Sequence, residues 1–212
     1  MDAMRSAIII AGGIGRRLGA EKSLIDMGGR PLIQLSVDKL FLVAEEVIVV
    51  ARDQAQADLL RDLVPRAKLA CDRISGYGPV AGILSGMACA RGRYAAAVGC
   101  DLPFLNISVL ERLFEIADGY EGAVPVHANG KLEPLHAVYE AKKMERACEH
   151  AIEKGMKRIS APISELNVKL VPVESLKFLD PELLTLFNIN TCQDLEEARR
   201  IWKALDLEEN KL

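Results

Sequence analysis

Short apolar runs alternate with segments of helical periodicity through the first 120 residues of the chain. The runs at residues 6–11, 47–51 and 94–99 are almost wholly apolar, which is typical of strands buried on both faces of a sheet. Helical segments at residues 31–41 and 79–90 separate them. Because right-handed crossovers join parallel strands in such an alternation, the pattern predicts a three-layer α/β fold with a mostly parallel mixed sheet.

The other segments extend this pattern. Further strands are predicted at residues 67–71, 122–126, 135–139 and 168–173, with a short extended piece at 187–190. Further helices are predicted at residues 54–63, 108–117, 142–154 and 191–205, followed by a frayed polar tail at 206–212. Ser108 with Glu111, and Thr191 with Asp194, have the spacing of capping boxes. Since no repeat or linker is visible, we expect a single domain over residues 1–212.

Composition and charge argue against several classes of protein. With 27 Lys and Arg against 30 Asp and Glu, the formal net charge is −3, which disfavours a uniformly basic nucleic-acid-binding protein. The apolar run at residues 7–11 is far shorter than the roughly 20 residues of a membrane span, so we expect neither a span nor a signal peptide. The five cysteines are scattered without a CxxC pair, which indicates thiols in a reducing cytoplasm.

A glycine-rich loop with three cations follows the first predicted strand. It reads AGGIGRRLGAEK over residues 11–22, and its cations are Arg16, Arg17 and Lys22. Glycines let a backbone turn tightly and present N–H groups to phosphate oxygens, so the loop predicts a polyphosphate site; a mobile solvated loop is the alternative. Neither the P-loop nor the GxGxxG spacing is met, and no helix N-terminus is predicted to face the loop before residue 31.

A second feature is Asp101, which follows the predicted strand at residues 94–99 and precedes Leu102-Pro103. Ligands of open α/β sheets bind at the carboxyl ends of the strands, and Mg²⁺ is commonly held there by one or two carboxylates and by substrate phosphates. Alone, such an aspartate is most simply a turn residue. Its pairing with the cation-rich glycine loop predicts a Mg²⁺-dependent site for a nucleoside triphosphate.

Five segments in order along the chain resemble one family of enzymes. They are the glycine loop with Lys22, GPVAGI at residues 78–83, CDLPFL at 100–105, PLHAVY at 134–139 and NINT at 188–191. Together they are similar to the molybdenum cofactor guanylyltransferases, which are nucleotidyltransferases of the glycosyltransferase-A-like, Rossmann-like fold. The resemblance implies transfer of GMP from GTP to the phosphate of molybdopterin, release of pyrophosphate, and Mg²⁺ as cofactor.

The same resemblance implies a role for each matching residue. The residues it assigns to the nucleotide are Ile10, Ala11, Gly12, Gly13, Lys22, Asp72, Gly82 and Asp101. Backbone groups of the first three would contact the guanine and ribose, and Gly13 the phosphates. For catalysis, Lys22 would contact the α-phosphate, Arg17 would help to hold the triphosphate, and Asp101 would bind Mg²⁺. The acceptor-side candidates are Asn188 and Asn190.

The resemblance also divides the expected domain and suggests a base preference. Residues from about 1 to 105 would form its nucleotide-binding half, and residues from about 106 to 205 its acceptor-binding half. The small residues at positions 11–13 and 78–82 favour guanine over cytosine. Expected partners are GTP, molybdopterin and other cofactor-assembly proteins, because direct hand-off would protect a labile pterin; no partner nucleic acid or membrane is expected.

Several alternatives stay open on sequence alone. A sibling nucleotidyltransferase could use CTP, or GTP with another phosphorylated acceptor. An NADP-dependent oxidoreductase could use Gly13, Gly15 and Gly19 with Arg52 at the end of the second strand, although the missing helix start and the presence of Asp101 disfavour it. A non-catalytic protein that senses nucleotide would keep the GTP site without turnover.

Overall fold

A computed structural model describes residues 4–15, 19–72, 74 and 76–209. Its strands are β1 Arg5–Ile10, β2 Ile14–Gly15, β3 Ala20–Glu21, β4 Asp26–Met27, β5 Arg30–Pro31, β6 Glu46–Ala51, β7 Lys68–Cys71, β8 Tyr94–Gly99, β9 Gly122–Val126, β10 His136–Glu140 and β11 Val168–Pro172. Its helices are α1 Leu32–Leu40, α2 Gln54–Arg61, α3 Pro79–Cys89, α4 Ile107–Ala117, α5 Ala141–Glu153, α6 Ser160–Ser164 and α7 Cys192–Glu209.

Seven strands form one sheet in the order β11-β9-β10-β8-β1-β6-β7. Strand β10 runs antiparallel to both of its neighbours, and every other pair in the sheet is parallel. The mostly parallel mixed sheet expected from the apolar runs is therefore confirmed. Because β8, β1, β6 and β7 are parallel neighbours, the loops that follow them meet at one edge of the sheet.

Helices cover both faces of the sheet, as the pattern of apolar side chains in β1 requires. Ile9 joins a cluster with apolar side chains of α1, α2 and α4, whereas Ile8 joins a second cluster with those of α3, α5 and α6. Successive residues of a strand point to opposite faces, so each face of β1 has its own helical layer. Among the residues that the structure describes, no helix has both the length and the apolar character to cross a membrane.

A third apolar cluster attaches the C-terminal helix to the segment that carries Lys22. Its fully or largely buried members are Ile25, Met27, Leu32, Phe104, Ile189 and Ala198. Trp202 of α7 packs against this cluster, and a Cβ added to Gly28 would lie 2.5 Å from its indole Nε1. Gly28, in the β4–β5 turn, has a φ of +68°. The turn therefore requires glycine for both its backbone conformation and its contact with the indole.

Several sequence-based expectations were wrong in detail. Helix α4 begins at Ile107, one residue early, because Asn106 rather than Ser108 is its N-cap and accepts a 3.3 Å hydrogen bond from the Val109 N–H. Residues 187–190 form no strand and are tied to the sheet edge by a single backbone bond, from the Ile189 N–H to the Asp101 C=O at 2.9 Å. The expected tail continues α7 as far as Glu209. Helix α6 and the hairpins β2–β3 and β4–β5 were not anticipated.

Candidate active site

A cleft of about 190 Å³ opens at the carboxyl ends of the parallel strands. The sequence-predicted residues that line it are Ile10, Gly12, Gly13, Lys22, Asp72, Gly82 and Asp101. Asp101 follows β8, Gly12 follows β1 and Asp72 follows β7, so the cleft runs across three strand spacings. At about 4.8 Å for each spacing, it is roughly 14 Å long, with the Lys22 and Asp101 side chains at one end and Asp72 at the other.

Lys22 is the centre of a contact between three distant parts of the chain. Its Nζ lies 2.7 Å from Asp101 Oδ2 and 2.7 Å from Asn190 Oδ1. Lys22 lies in a single 3-10 turn, Lys22–Leu24, and Asn190 is brought to it by the bond between Ile189 and the Asp101 carbonyl. The Lys22 side chain is only 12% exposed, so its charge acts in a partly desolvated site where electrostatic interactions are stronger than in water.

The donor groups around Asp101 fit a hard cation that is shared with phosphate. Its side chain is 20% exposed and lines the cleft, and the amide oxygen of Asn190 accepts a hydrogen bond from the same Lys22 amine. Among the described residues, no group of three or more His, Cys, Asp and Glu side chains could enclose a metal. Mg²⁺ needs only one or two carboxylates when phosphates and water complete its shell, so this donor set fits Mg²⁺ bound with a nucleotide.

The N-terminus of α3 opens into the cleft, which the sequence had not suggested. Gly78 has a φ of +55° and Pro79 occupies the first helical position, and both line the cleft. The first N–H groups of a helix lack acceptors within the helix and attract anions and carbonyl oxygens. One turn further on, a Cβ added to Gly82 would lie 3.2 Å from Ile10 Cγ2. Glycine at this position therefore lets α3 pack directly against the Ile10 side chain in the wall of the cleft.

Asp72 provides a hydrogen-bond acceptor at the end of the cleft remote from Lys22. Burial raises the pKa of its carboxyl group, and a 3.1 Å hydrogen bond from the Ile74 N–H partly offsets that rise. The neighbouring Arg52 is engaged by Glu21 and by Asp53, whose Oδ2 lies 3.2 Å from Arg52 Nε. Because this guanidinium is already paired with two carboxylates, its charge is largely balanced and it is poorly suited to the additional phosphate of NADP.

Not every sequence-predicted residue faces the cleft. Ala11 is fully buried behind it, and its N–H donates to the Val50 carbonyl at 2.9 Å. The side chain of Asn188 donates to the Leu186 carbonyl at 2.8 Å, away from the Lys22 contact. Arg17 lies outside the described residues. His136, within the PLHAVY segment, is buried against Thr185, with 3.2 Å between Nε2 and Oγ1.

Sequence reasoning missed two residues at the site. Arg52 appeared only as part of the oxidoreductase alternative, and Gln56 was not considered at all. Gln56 is 1% exposed, and its amide nitrogen donates to the Ala11 carbonyl at 3.0 Å and to Glu21 Oε2 at 2.9 Å. Its burial explains these bonds, because buried polar groups need partners, but nothing in the sequence of α2 distinguishes it from the exposed Gln54.

Comparison with known proteins identifies relatives over nearly the whole chain. A family model described as a MobA-like NTP transferase domain matches residues 7–168. A probable molybdenum cofactor guanylyltransferase of Methanosarcina mazei is 37% identical over 199 residues, covering 91% of this chain and 88% of the relative. A molybdenum cofactor guanylyltransferase of Desulfosudis oleivorans is 34% identical, with coverage of 96% and 98%.

A solved structure gives the same result at the level of the fold. The molybdopterin-guanine dinucleotide biosynthesis protein A of Archaeoglobus fulgidus superposes with a TM-score of 0.83 at 32% identity. The match covers 94% of this chain and 99% of that protein. The solved structure and the sequence relatives therefore indicate the same family that the five sequence segments resemble.

Proposed function

The chain belongs to the MobA-like NTP transferase family and is a nucleotidyltransferase, and we propose that it transfers GMP from GTP to the phosphate of molybdopterin, releasing pyrophosphate. The observation that carries the proposal is the contact of Lys22 with Asp101 and Asn190 at the mouth of a glycine-lined cleft. It combines the cation, the metal-type carboxylate and the bare backbone that a nucleoside triphosphate requires.

The order of the strands gives the nucleotide a direction in the cleft. Lys22 and Asp101 suit the phosphates, since one supplies a positive charge and the other a ligand for Mg²⁺. The nucleoside then crosses Gly12 after β1 and lies near Asp72 and the N-terminus of α3. The Asp72 carboxylate can accept a hydrogen bond from a hydroxyl or amino group of the nucleoside.

Transfer requires an acceptor phosphate oxygen to attack the α-phosphorus while the bond to pyrophosphate breaks. Both reactants are anions, so positioning and charge neutralisation have to supply most of the catalysis. Lys22 contributes an ammonium group that can move from Asp101 and Asn190 onto the phosphate oxygens. When bound, Mg²⁺ would neutralise further phosphate charge, and Asp101 is the residue that would hold it. The acceptor phosphate is already ionised near neutral pH, so no general base is needed.

Gly82 and the acceptor side complete the proposal. Gly82 and Ile10 line the cleft side by side, and we assign this wall to the guanine base. Asn190 lies where an acceptor phosphate would approach Lys22, which makes it our acceptor-side residue. Proteins that deliver molybdopterin or receive its dinucleotide are proposed partners, because a labile pterin benefits from direct transfer.

The experiment that tests this function is a pyrophosphate-release assay with molybdopterin as acceptor. GTP, CTP and ATP are compared, each with Mg²⁺ and with Mg²⁺ removed by chelation. We expect turnover with GTP but not with CTP or ATP. This turnover should require both Mg²⁺ and the acceptor, and it should be lost in Asp101→Asn. CTP preference would assign the chain to the cytidylyl sibling, and GTP binding without pyrophosphate release would indicate a nucleotide sensor.

A further inference from the structure

The side-chain amide of Gln56 lies between the ends of two sheet strands. Gln56 belongs to the first turn of α2, where the Asp53 side chain accepts its backbone N–H at 2.8 Å. Its Oε1 accepts the Arg52 N–H at 2.8 Å, and its Nε2 donates to the Ala11 carbonyl at 3.0 Å. Arg52 and Ala11 are the residues that directly follow β6 and β1.

These two bonds take the place of one bond of the β-ladder. Strands β1 and β6 are paired up to Ile10 and Val50, and the Ala11 N–H still donates to the Val50 carbonyl at 2.9 Å. If the parallel ladder continued, the Arg52 N–H would donate to the Ala11 carbonyl. The Gln56 amide is hydrogen-bonded to both groups instead, so the β1–β6 ladder ends at the point where the cleft begins.

A third hydrogen bond connects the same amide to the segment that carries Lys22. Gln56 Nε2 also donates to Glu21 Oε2 at 2.9 Å, and Glu21 directly precedes Lys22 and forms an ion pair with Arg52. The amide thus uses its acceptor once and both of its donors. It therefore holds three segments in position relative to one another: the start of the glycine loop, the end of β6 and Glu21, which precedes Lys22.

We propose that Gln56 is a positioning residue of the nucleotide site, which ends the β1–β6 ladder and holds the start of the glycine loop and the Glu21–Lys22 segment in their binding geometry. This inference rests on the proposed use of GTP. It requires glutamine in particular, because glutamate has no donor for the Ala11 carbonyl when it is ionised and methionine replaces none of the three hydrogen bonds.

The first test compares Gln56→Met with Gln54→Met. Gln54 is a matched control: it lies in the same turn of α2, is exposed, and donates to Asp58 on its own helix at 2.8 Å. Its contact with the Cys71 thiol is a long one, 3.8 Å between Sγ and Oε1. With three hydrogen bonds lost, Gln56→Met is expected to raise the KM for GTP at least about tenfold and to lower kcat. Gln54→Met should remain within about twofold of the unmodified protein.

A ligand-free measurement separates this inference from the proposed function. Amide hydrogen exchange at Arg52 should become faster in Gln56→Met and stay unchanged in Gln54→Met, whatever the substrate is. If the unmodified protein neither binds nor uses GTP, the proposed function fails while this exchange result still decides the role of Gln56. A KM for GTP that matches the control, or a lower Tm with unchanged KM, would overturn the positioning role.

In a second variant, one and the same protein is compared at two pH values, so that the sequence stays constant while the protonation of the introduced group changes. Gln56→Glu places a carboxylate against Glu21, and the other charged groups beside it are Arg52 and Asp53. At pH 8 the two carboxylates repel each other, whereas at pH 5.5 a shared proton restores a donor between them. The KM of Gln56→Glu, relative to that of Gln54→Glu, should therefore fall several-fold as the pH is lowered. A ratio that does not change with pH contradicts the proposal.

Discussion

Lys22 is the residue on which the largest single effect on catalysis is expected. Its ammonium group is partly buried and lies 2.7 Å from Asp101 and from Asn190. Lys22→Ala removes the positive charge from the phosphate end of the cleft, and we expect kcat to fall about 100- to 1000-fold, as for the loss of one oxyanion donor.

The measurement is steady-state pyrophosphate release at saturating GTP. Lys177→Ala is the matched control, because that lysine is exposed and pairs with Glu174 on a surface turn. Turnover of Lys22→Ala comparable to that of the control would remove Lys22 from the proposed mechanism. A normal Tm for both variants would show that the loss is not one of folding.

His136 makes the stability of the fold depend on pH. Complete burial lowers the pKa of its imidazole from 6.5 to about 4, so the unfolded chain binds a proton between these values while the folded chain does not. The free energy of unfolding therefore decreases as the pH falls from 6.5 to 4, by at most about 3 kcal/mol. Urea unfolding at pH 7.5 and pH 4.5 measures this difference, and His136→Phe should reduce it. Equal pH dependence in both proteins would contradict the assignment.

At the residue scale, sequence reasoning succeeded where position in the fold and chemistry coincide. Asp101 and the glycine loop follow apolar strands, and the carboxyl ends of such strands form ligand sites. Gln56 could not be found in this way, because its proposed role depends on where the β1–β6 ladder ends. The contact between Lys22 and Asn190 joins residues 168 positions apart, and no local pattern encodes that distance.

Among the elements, α3 packs closely against the sheet through two glycines, one in the core and one at the cleft. A Cβ added to Gly86 would lie 2.4 Å from Ile8 Cγ2, whereas one added to Gly82 would lie 3.2 Å from Ile10 Cγ2 at the cleft. We expect Gly86→Ala to lower the free energy of unfolding by about 1–3 kcal/mol through overpacking. Gly82→Ala should cost less stability and weaken GTP binding more.

Urea unfolding and calorimetric GTP titration of both variants check this pair. Each variant serves as the control for the other, because the two changes are chemically identical and lie one helical turn apart. If Gly86→Ala were the one to lose GTP affinity, the assignment of Gly82 to the wall of the nucleotide slot would be wrong.

Helices and strands were predictable where a run or periodic pattern of apolar residues in the sequence indicates a buried element. The seven strands of the main sheet are apolar enough to be seen in the sequence, whereas β2, β3, β4 and β5 have two residues each and depend on tertiary contacts. The N-cap of α4 was missed because Asn106 and Ser108 are both good capping residues. Packing around Thr185, whose Oγ1 accepts the Asn106 N–H at 3.0 Å, favours the former.

At the scale of the whole molecule, α7 is joined to the first part of the chain through Trp202, the only tryptophan. Since this cluster contains Ile25 and Phe104 as well as α7, we propose that residues from both expected halves unfold together as one domain. Unfolding followed by Trp202 fluorescence and by far-ultraviolet circular dichroism should then give the same midpoint in urea. Separate midpoints would show that the C-terminal part unfolds independently.

The contact between Lys22 and Asn190 also sets an order of events during protein synthesis. A ribosome has made β1, β6, β7 and β8, and with them most of the nucleotide cleft, long before it reaches residue 190. The strands that carry the cleft are therefore synthesised well ahead of the asparagine that completes the contact with the lysine amine. Competence for transfer is reached last, only when the C-terminal segment has emerged and folded back against the start of the chain.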